Sequence, residues 1–133
     1  MEKIFQLLIL SKEQVMKYNC KIISVEEEEV TVQIDKISIT GFVNCGVDKN
    51  VGQETSVEIS FYDDLNITPC DDKVGLERKH KSFEYSLWGI LDIQNGVLKS
   101  VIDFEIDENE IFDYGYLDGK YVKIDVLRLD FEF

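Results

Sequence analysis

The feature that most constrains the fold of this chain is the way its apolar alternation changes parity. Val30, Val32 and Ile34 alternate with polar residues, after which the apolar positions move to Ile37 and Ile39. Strand side chains alternate between two faces with a period of two, so a change of parity within one strand needs a bulge or a sharp bend. Bent strands are typical of closed or partly closed barrels, and the pattern therefore predicts a small barrel.

The same change of parity is found at two further places. It recurs between residues 122–126 and 127–133, and again within residues 83–93, where Trp88 and Ile90 follow apolar residues of odd number. Each of these segments is interpreted as a bent strand. Trp88, at the centre of its segment, is predicted to be a core side chain.

Length and composition predict a single, mainly β domain over residues 1–133. The chain has no alanine, the best helix former, and is rich in the β-branched and aromatic residues that favour strands. One short N-terminal helix is predicted over Ser11–Asn19, because Ser11 and Gln14 have the spacing of a capping box. Residues 3–10 are interpreted either as a first strand or as part of one longer helix over residues 2–19.

Five main strands are predicted to begin near residues 30, 54, 82, 97 and 120, with a long first strand that passes through Gly41. Asn95-Gly96 predicts a hairpin, and Asp63–Arg78 is predicted to be a polar loop. Over residues 25–133 this layout resembles an OB-fold, a five-stranded and partly open barrel. The helix expected between the third and fourth strands of that fold is replaced by the Asn-Gly turn. A β-sandwich is the alternative.

The charge of the chain restricts the classes of partner. Its 27 acidic residues face 14 Lys+Arg, a formal net charge of −13, which argues against general binding to nucleic acid or to anionic membranes. The acidity fits either solubility alone or attraction to a basic protein. No signal peptide or membrane span is predicted, and Cys20, Cys45 and Cys70 are interpreted as free thiols of a cytoplasmic protein.

No residue pattern predicts an active site or a cofactor. The nucleophile-elbow, phosphate-loop and dinucleotide glycine motifs are absent, so no catalytic residue is assigned and no enzymatic activity is predicted. A zinc site built from the three cysteines and His80 would lack the closely spaced ligand pairs that are usual in structural sites, so no metal is predicted. Residues 26–29, four glutamates, are interpreted as an exposed turn.

Two sets of residues are predicted to bind a partner or a ligand. Ile102, Phe104 and Ile106 are expected to point inward, which turns the intervening carboxylates outward. Acidic and tyrosine side chains there form a predicted contact surface for a basic protein. The predicted partner-binding residues are Asp103, Glu105, Asp107, Glu108, Glu110, Tyr114 and Tyr116. The alternative ligand-binding residues are Arg78, Lys79, Lys81 and Trp88.

In size, acidity and lack of catalytic groups the chain resembles the immunity proteins of bacterial toxin systems. That resemblance implies a non-enzymatic inhibitor that covers the active site of a basic partner, such as a toxin nuclease, with an acidic surface. The rival hypothesis is an OB-type module that binds single-stranded nucleic acid or a small ligand. In that case bases would stack on Tyr85 and Trp88 beside the basic cluster of residues 76–81.

Overall fold

The computed structural model describes residues 15–44 and 46–133, and this part of the chain is mainly β. It contains eleven strands, one short α-helix and one 3-10 helix. Their bounds are β1 (Tyr18–Glu26), β2 (Glu29–Ile34), β3 (Ile37–Phe42), β4 (Glu54–Tyr62), β5 (Asn66–Pro69), β6 (Gly75–Arg78), β7 (Tyr85–Asp92), β8 (Val97–Lys99), β9 (Asp103–Glu105), α1 (Glu108–Ile111), η1 (Phe112–Leu117), β10 (Tyr121–Val126) and β11 (Arg128–Glu132).

Five strands close into a barrel in the order β1-β2-β3-β11-β4. β1 bends as expected of a barrel strand: its first residues pair with β4, its later residues pair with β2, and its register shifts between Ile22 and Ser24. The pairs are antiparallel except for β3 with β11, which are parallel and joined at Phe42 and Asp130. The predicted bent-strand barrel is confirmed, and its five closed strands are compatible with an OB-like layout.

The strands that form the barrel are not the ones predicted. Asp35 and Lys36 are the turn of a β2–β3 hairpin rather than a bulge in one long strand. Asp35 turns the chain with a positive φ of 53°, a conformation that aspartate adopts more readily than most residues. The parity change after Val126 marks the passage of the chain from one sheet to the other, at the exposed Leu127.

The second sheet is inserted between β4 and β11 and has the order β5-β10-β7-β8-β9, with β6 also paired to β7. The strands predicted near residues 82 and 97 belong to this sheet and not to the barrel, and the strand predicted from residue 120 is divided between β10 of this sheet and β11 of the barrel. The predicted polar loop Asp63–Arg78 contains β5 and β6, so that prediction is wrong for eight of its residues. The Asn95-Gly96 hairpin is confirmed: it joins β7 to β8, and Gly96 has a φ of 65°.

The two sheets share one hydrophobic core. Ile22 and Val32 contribute from the barrel, and Leu87 and Ile124 from the second sheet, all without solvent exposure. Phe61 of β4 meets Phe104 of β9 at a ring-centroid distance of 6.2 Å. Burial of such side chains is the main source of stability, at about 25 cal/mol per Å² of apolar surface.

Two tyrosines cross-link the sheets in opposite directions. The Tyr18 hydroxyl, from the barrel, donates to the carbonyl of Asp103 in β9 at 2.6 Å and accepts from the Glu105 amide at 3.4 Å. The Tyr85 hydroxyl, from the second sheet, accepts from the buried amide of Thr40 in β3 at 2.8 Å. Each hydroxyl therefore hydrogen-bonds backbone groups of the other sheet that have no partner in the strand pairing. Buried backbone N–H and C=O groups need such partners.

The hydrogen bonds of Tyr18 predict how stability depends on pH. Burial raises the pKa of Tyr18 to about 12 from an ordinary value of 10.0, so the unfolded chain loses this proton first. The contribution of the neutral hydroxyl is therefore complete below pH 10.0 and is lost as the pH rises through about 12. Tyr18→Phe should cost about 1 kcal/mol near neutral pH. Urea unfolding curves of the two proteins should converge above pH 10.0, and a constant difference would contradict this assignment.

The N-terminal prediction falls partly outside the described residues, since residues 1–14 are not among them. Residues 15–17 are not helical, and Tyr18 and Asn19 begin β1, so the predicted helix does not extend over its last five residues. The described helices, α1 and η1, lie between β9 and β10 instead. No helix in residues 15–44 and 46–133 has the length and apolar character to cross a membrane.

Candidate functional site

A group of exposed acidic and aromatic side chains lies on α1 and η1. Asp107 precedes α1, and its carboxylate accepts from the Asn109 amide at 2.8 Å, as the N-cap residue of a helix commonly does. Ile111 and Leu117 are buried and hold the segment against the core. Asp118 accepts from the Ile93 amide at 2.9 Å and so ties the end of η1 to the β7–β8 turn. This short segment is therefore anchored at both ends.

Two aromatic rings on this segment face solvent. Phe112 is 82% exposed and Tyr116 is 67% exposed, whereas Tyr114 is half-buried against the core. The rings of Tyr114 and Tyr116 lie 6.3 Å apart between centroids. Exposed aromatic residues beside one another are a mark of interaction surfaces. We call the following residues the acidic–aromatic patch: Asp107, Glu108, Glu110, Phe112, Asp113 and Tyr116.

The carboxylates of the acidic–aromatic patch have no cationic partner among the described residues. The salt bridges of the described residues involve carboxylates outside the patch, such as that of Glu29 with Arg78 and that of Asp92 with Lys99. Asp107, as the N-cap of α1, is the patch carboxylate with a side-chain hydrogen bond. The negative charge of the patch is therefore available to a binding partner.

The predicted partner-binding residues do not form one uniform surface. Asp103 and Glu105 point away from buried Phe104, as the alternation predicted, but they lie on β9 rather than on the helical segment. Glu105 is also occupied, since its carboxylate accepts from the Met16 amide at 3.2 Å. Glu108, Glu110 and the two tyrosines lie on α1 and η1.

Phe112 and Asp113 complete the patch, and the sequence interpretation did not assign them. No sequence signal distinguishes Phe112 from Ile111, because adjacent residues of an amphipathic helix can both face the core. In the structure Ile111 is buried and Phe112 is exposed.

The alternative ligand-binding residues are separated by the second sheet. Arg78 points toward the barrel, where it pairs with Glu29 and donates to the carbonyl of Ser82 at 2.6 Å. Lys79 lies on the outer face, 3.3 Å from Asp125. Lys81 is exposed. Arg78 is held by these contacts, so the four predicted residues do not converge on one ligand.

Trp88 lies on the outer face of the second sheet, which overturns its prediction as a core ring. It is partly exposed, and the inward positions of β7 are Tyr85, Leu87, Gly89 and Leu91. The Lys73 ammonium lies 3.7 Å from the ring centroid, and that of Lys123 lies 5.8 Å away. Both are cation–π distances. Residues 83–93 therefore contain no change of parity.

The described thiols and carboxylates do not assemble a metal centre. Cys20 is buried and Cys70 half-buried, and burial raises the pKa of both free thiols. Cys45 lies outside the described residues, and His80 is exposed. No group of three or more His, Cys, Asp or Glu in the described part of the chain is placed to hold a metal ion.

An open groove of about 800 Å³ crosses the barrel where β1 passes between β2 and β4. Lys21 pairs there with Gln33 on one side and with Glu54 on the other. Asp35 supplies a second carboxylate, and polar side chains line most of the remaining wall. The groove has neither an apolar floor nor a dominant charge, so it indicates no ligand class.

The comparisons with known proteins give a family but no activity. No curated protein matches the chain, and no solved structure matches it. A family model with the description "Uncharacterised conserved protein UCP019853" matches residues 16–133, which include the barrel, the second sheet and the acidic–aromatic patch. The chain belongs to this family of uncharacterised conserved proteins.

Proposed function

We propose that this protein is a cytoplasmic, non-enzymatic interaction protein that binds a basic protein through its acidic–aromatic patch. One observation carries the proposal: Phe112 and Tyr116 are 82% and 67% exposed among carboxylates that have no cationic partner in the described structure. A surface made only for solubility has no use for two exposed rings, since exposed aromatic side chains promote association.

The two kinds of side chain would have different tasks in binding. Carboxylates raise the rate of encounter with a basic surface and exclude acidic partners, although they add little affinity at the exposed rim of an interface. Aromatic side chains provide most of the binding free energy when they enter a pocket of the partner. The partner should therefore carry Lys and Arg around an apolar depression.

The partner class that fits this chemistry best is a basic enzyme that acts on nucleic acid, with this protein as its inhibitor. A nuclease needs cationic side chains to hold phosphates, and an acidic surface can occupy the same cations. The resemblance to immunity proteins in size and charge supports the same class. Inhibition would then follow from covering the basic substrate surface.

The test is an affinity capture from the extract of the native host, with elution by a salt gradient and identification by mass spectrometry. The wild-type bait is compared with Glu108→Lys/Asp113→Lys. The matched control is Asp48→Lys/Asp64→Lys, which makes the same change in net charge at exposed positions outside the patch. A basic protein should be captured by the wild type and the control and should elute at moderate salt.

The patch variant should lose at least about nine tenths of the captured protein, because like charges then face each other across the interface. Equal capture by the patch variant and the control would overturn the assignment of the patch. Capture of acidic proteins alone, with no dependence on salt, would overturn the proposal of a basic partner.

A further inference from the structure

A second surface, formed by basic side chains around one aromatic ring, lies on the outer face of the second sheet. Three residues stand side by side across it, since Trp88 of β7 pairs with Gly75 of β6 on one side and with Lys123 of β10 on the other. Directly opposite residues of paired strands share a face. The ring of Trp88 therefore lies between a residue without a side chain and a lysine.

Positive charge is concentrated around this ring. Lys73 lies over its face at 3.7 Å, and Lys123 and Lys79 share the single carboxylate of Asp125, at 3.7 and 3.3 Å. Lys73 makes no salt bridge with any described residue. Asp71 and Asp72 are the neighbouring acids, and the Tyr121 hydroxyl donates to the Asp72 carboxylate, which raises the pKa of that tyrosine. Lys73 and Lys123 lie at cation–π distance from Trp88, and together with Lys79, which shares the Asp125 carboxylate with Lys123, we call them the basic island.

The space beside the ring is open. A Cβ atom built on Gly75 would meet no other heavy atom within 4 Å, and the backbone of Gly75 is not in the left-handed region that would demand glycine. Turn geometry therefore does not account for glycine at this position. A side chain here would occupy the floor next to Trp88, and its absence leaves a shallow site bounded by the ring and by Lys73.

We propose that this surface binds a small planar aromatic anion of the nucleoside monophosphate class. A base would stack on Trp88 in place of the Lys73 ammonium, over the floor at Gly75. The ammonium groups of Lys73 and Lys123, on flexible four-carbon stems, would hold the phosphate. Three adjacent β-strands span about 10 Å, which is wide enough for one nucleotide but not for several nucleotides of a single-stranded nucleic acid.

The overall charge favours a mononucleotide over a polynucleotide. Binding a chain of phosphates needs an extended basic surface, whereas one phosphate needs only the local island. The site lies on β6, β7 and β10 and shares no residue with the acidic–aromatic patch. It is therefore independent of the proposed protein partner, and either proposal can fail alone.

Trp88 is the only tryptophan of the chain, so its fluorescence reports on this site directly. The wild-type protein is titrated with AMP, and with adenosine and inorganic phosphate as separate probes. AMP should quench the emission in a saturable way. Adenosine and phosphate should each bind at least about tenfold more weakly, because each offers only one of the two contacts.

Two variants test the geometry and the charge separately. Gly75→Val should fold with unchanged thermal stability and should weaken AMP binding at least about tenfold by filling the floor. Lys73→Gln should weaken AMP binding by a similar factor. Lys36→Gln removes one exposed lysine from the β2–β3 turn and should leave AMP binding unchanged.

Quenching by iodide and by caesium tests the basic island even without a nucleotide. Relative to its effect on N-acetyltryptophanamide, iodide should quench Trp88 more strongly than caesium does in the wild type, against the sign of the net charge, and Lys73→Gln/Lys123→Gln should reverse this order. Stronger quenching by caesium in the wild type would overturn the proposal. So would the absence of saturable quenching by AMP, equal binding of AMP and adenosine, or tighter binding of single-stranded oligo(dA) than of AMP.

Discussion

Gly89→Ala is expected to destabilise the protein by about 3 kcal/mol, a large part of the stability of a domain of this size. A Cβ atom on Gly89 would lie 2.8 Å from the carbonyl carbon of Lys99 and 3.1 Å from the Cα of Ser100. These are backbone atoms, which cannot rotate away as the end of a side chain can. The added methyl group must therefore push β8 from β7.

The displaced segment also carries a hydrogen bond that would be strained. The Ser100 hydroxyl donates to the carbonyl of Trp88 at 2.6 Å, so it links the end of β8 to the strand that contains Gly89. Urea unfolding followed by circular dichroism measures the effect. Gly75→Ala is the matched control, because its methyl group would meet no atom within 4 Å and should change stability by less than about 0.5 kcal/mol. Equal stability of the two variants would contradict this packing.

Phe112→Ser is expected to weaken binding of the captured basic partner by about 2–4 kcal/mol, or about 30- to 1000-fold. The ring is 82% exposed in the free protein, so its removal should leave the thermal midpoint almost unchanged. The loss of affinity should be found mainly in a faster dissociation rate, as is usual for anchors that enter a pocket. Titration calorimetry and thermal unfolding together measure both effects.

The control for Phe112 is Val51→Ser, an apolar residue 65% exposed in the loop before β4. It should change neither affinity nor stability appreciably. A partner that binds Phe112→Ser as tightly as the wild type would show that the exposed ring is not the anchor of the interface.

The mainly β class was predictable because alternation and turn residues are local patterns, whereas the strand order was not. Alternation at Ile102, Phe104 and Ile106 and the Asn95-Gly96 turn both predicted what the structure shows. The position of β11 between β3 and β4 depends on contacts between residues far apart in the chain, such as Phe42 with Asp130. Short alternating segments carry no information about such partners.

The prediction for Trp88 failed because of the glycine beside it. Tyr85, Leu87, Gly89 and Leu91 share the inward face of β7, but Gly89 interrupts the apolar series that a sequence displays. In the sequence, Trp88 and Ile90 then resemble a continuation of the buried apolar series at even-numbered positions. The close approach of Ser100 and Lys99 explains why a glycine stands at that inward position.

The candidate site was predictable only in its charge. Acidic residues around Glu108 are evident from composition, and carboxylates at the surface need no special contact. The exposure of Phe112 and the engagement of Glu105 by Met16 depend on how α1 and β1 pack, which is a tertiary property. Carboxylates that are hydrogen-bonded within the protein, such as that of Glu105, therefore could not be distinguished from those that face solvent before the fold was known.

The acidic–aromatic patch is proposed to attract its basic partner by charge. The most direct test is the association rate constant with the captured partner, measured by stopped-flow over a range of salt concentration. We expect the rate constant to fall at least about tenfold between low and high salt for the wild type and for Asp48→Lys/Asp64→Lys, and to be low and nearly independent of salt for Glu108→Lys/Asp113→Lys. A wild-type rate that does not change with salt, or equal rates for the two charge variants, would contradict it.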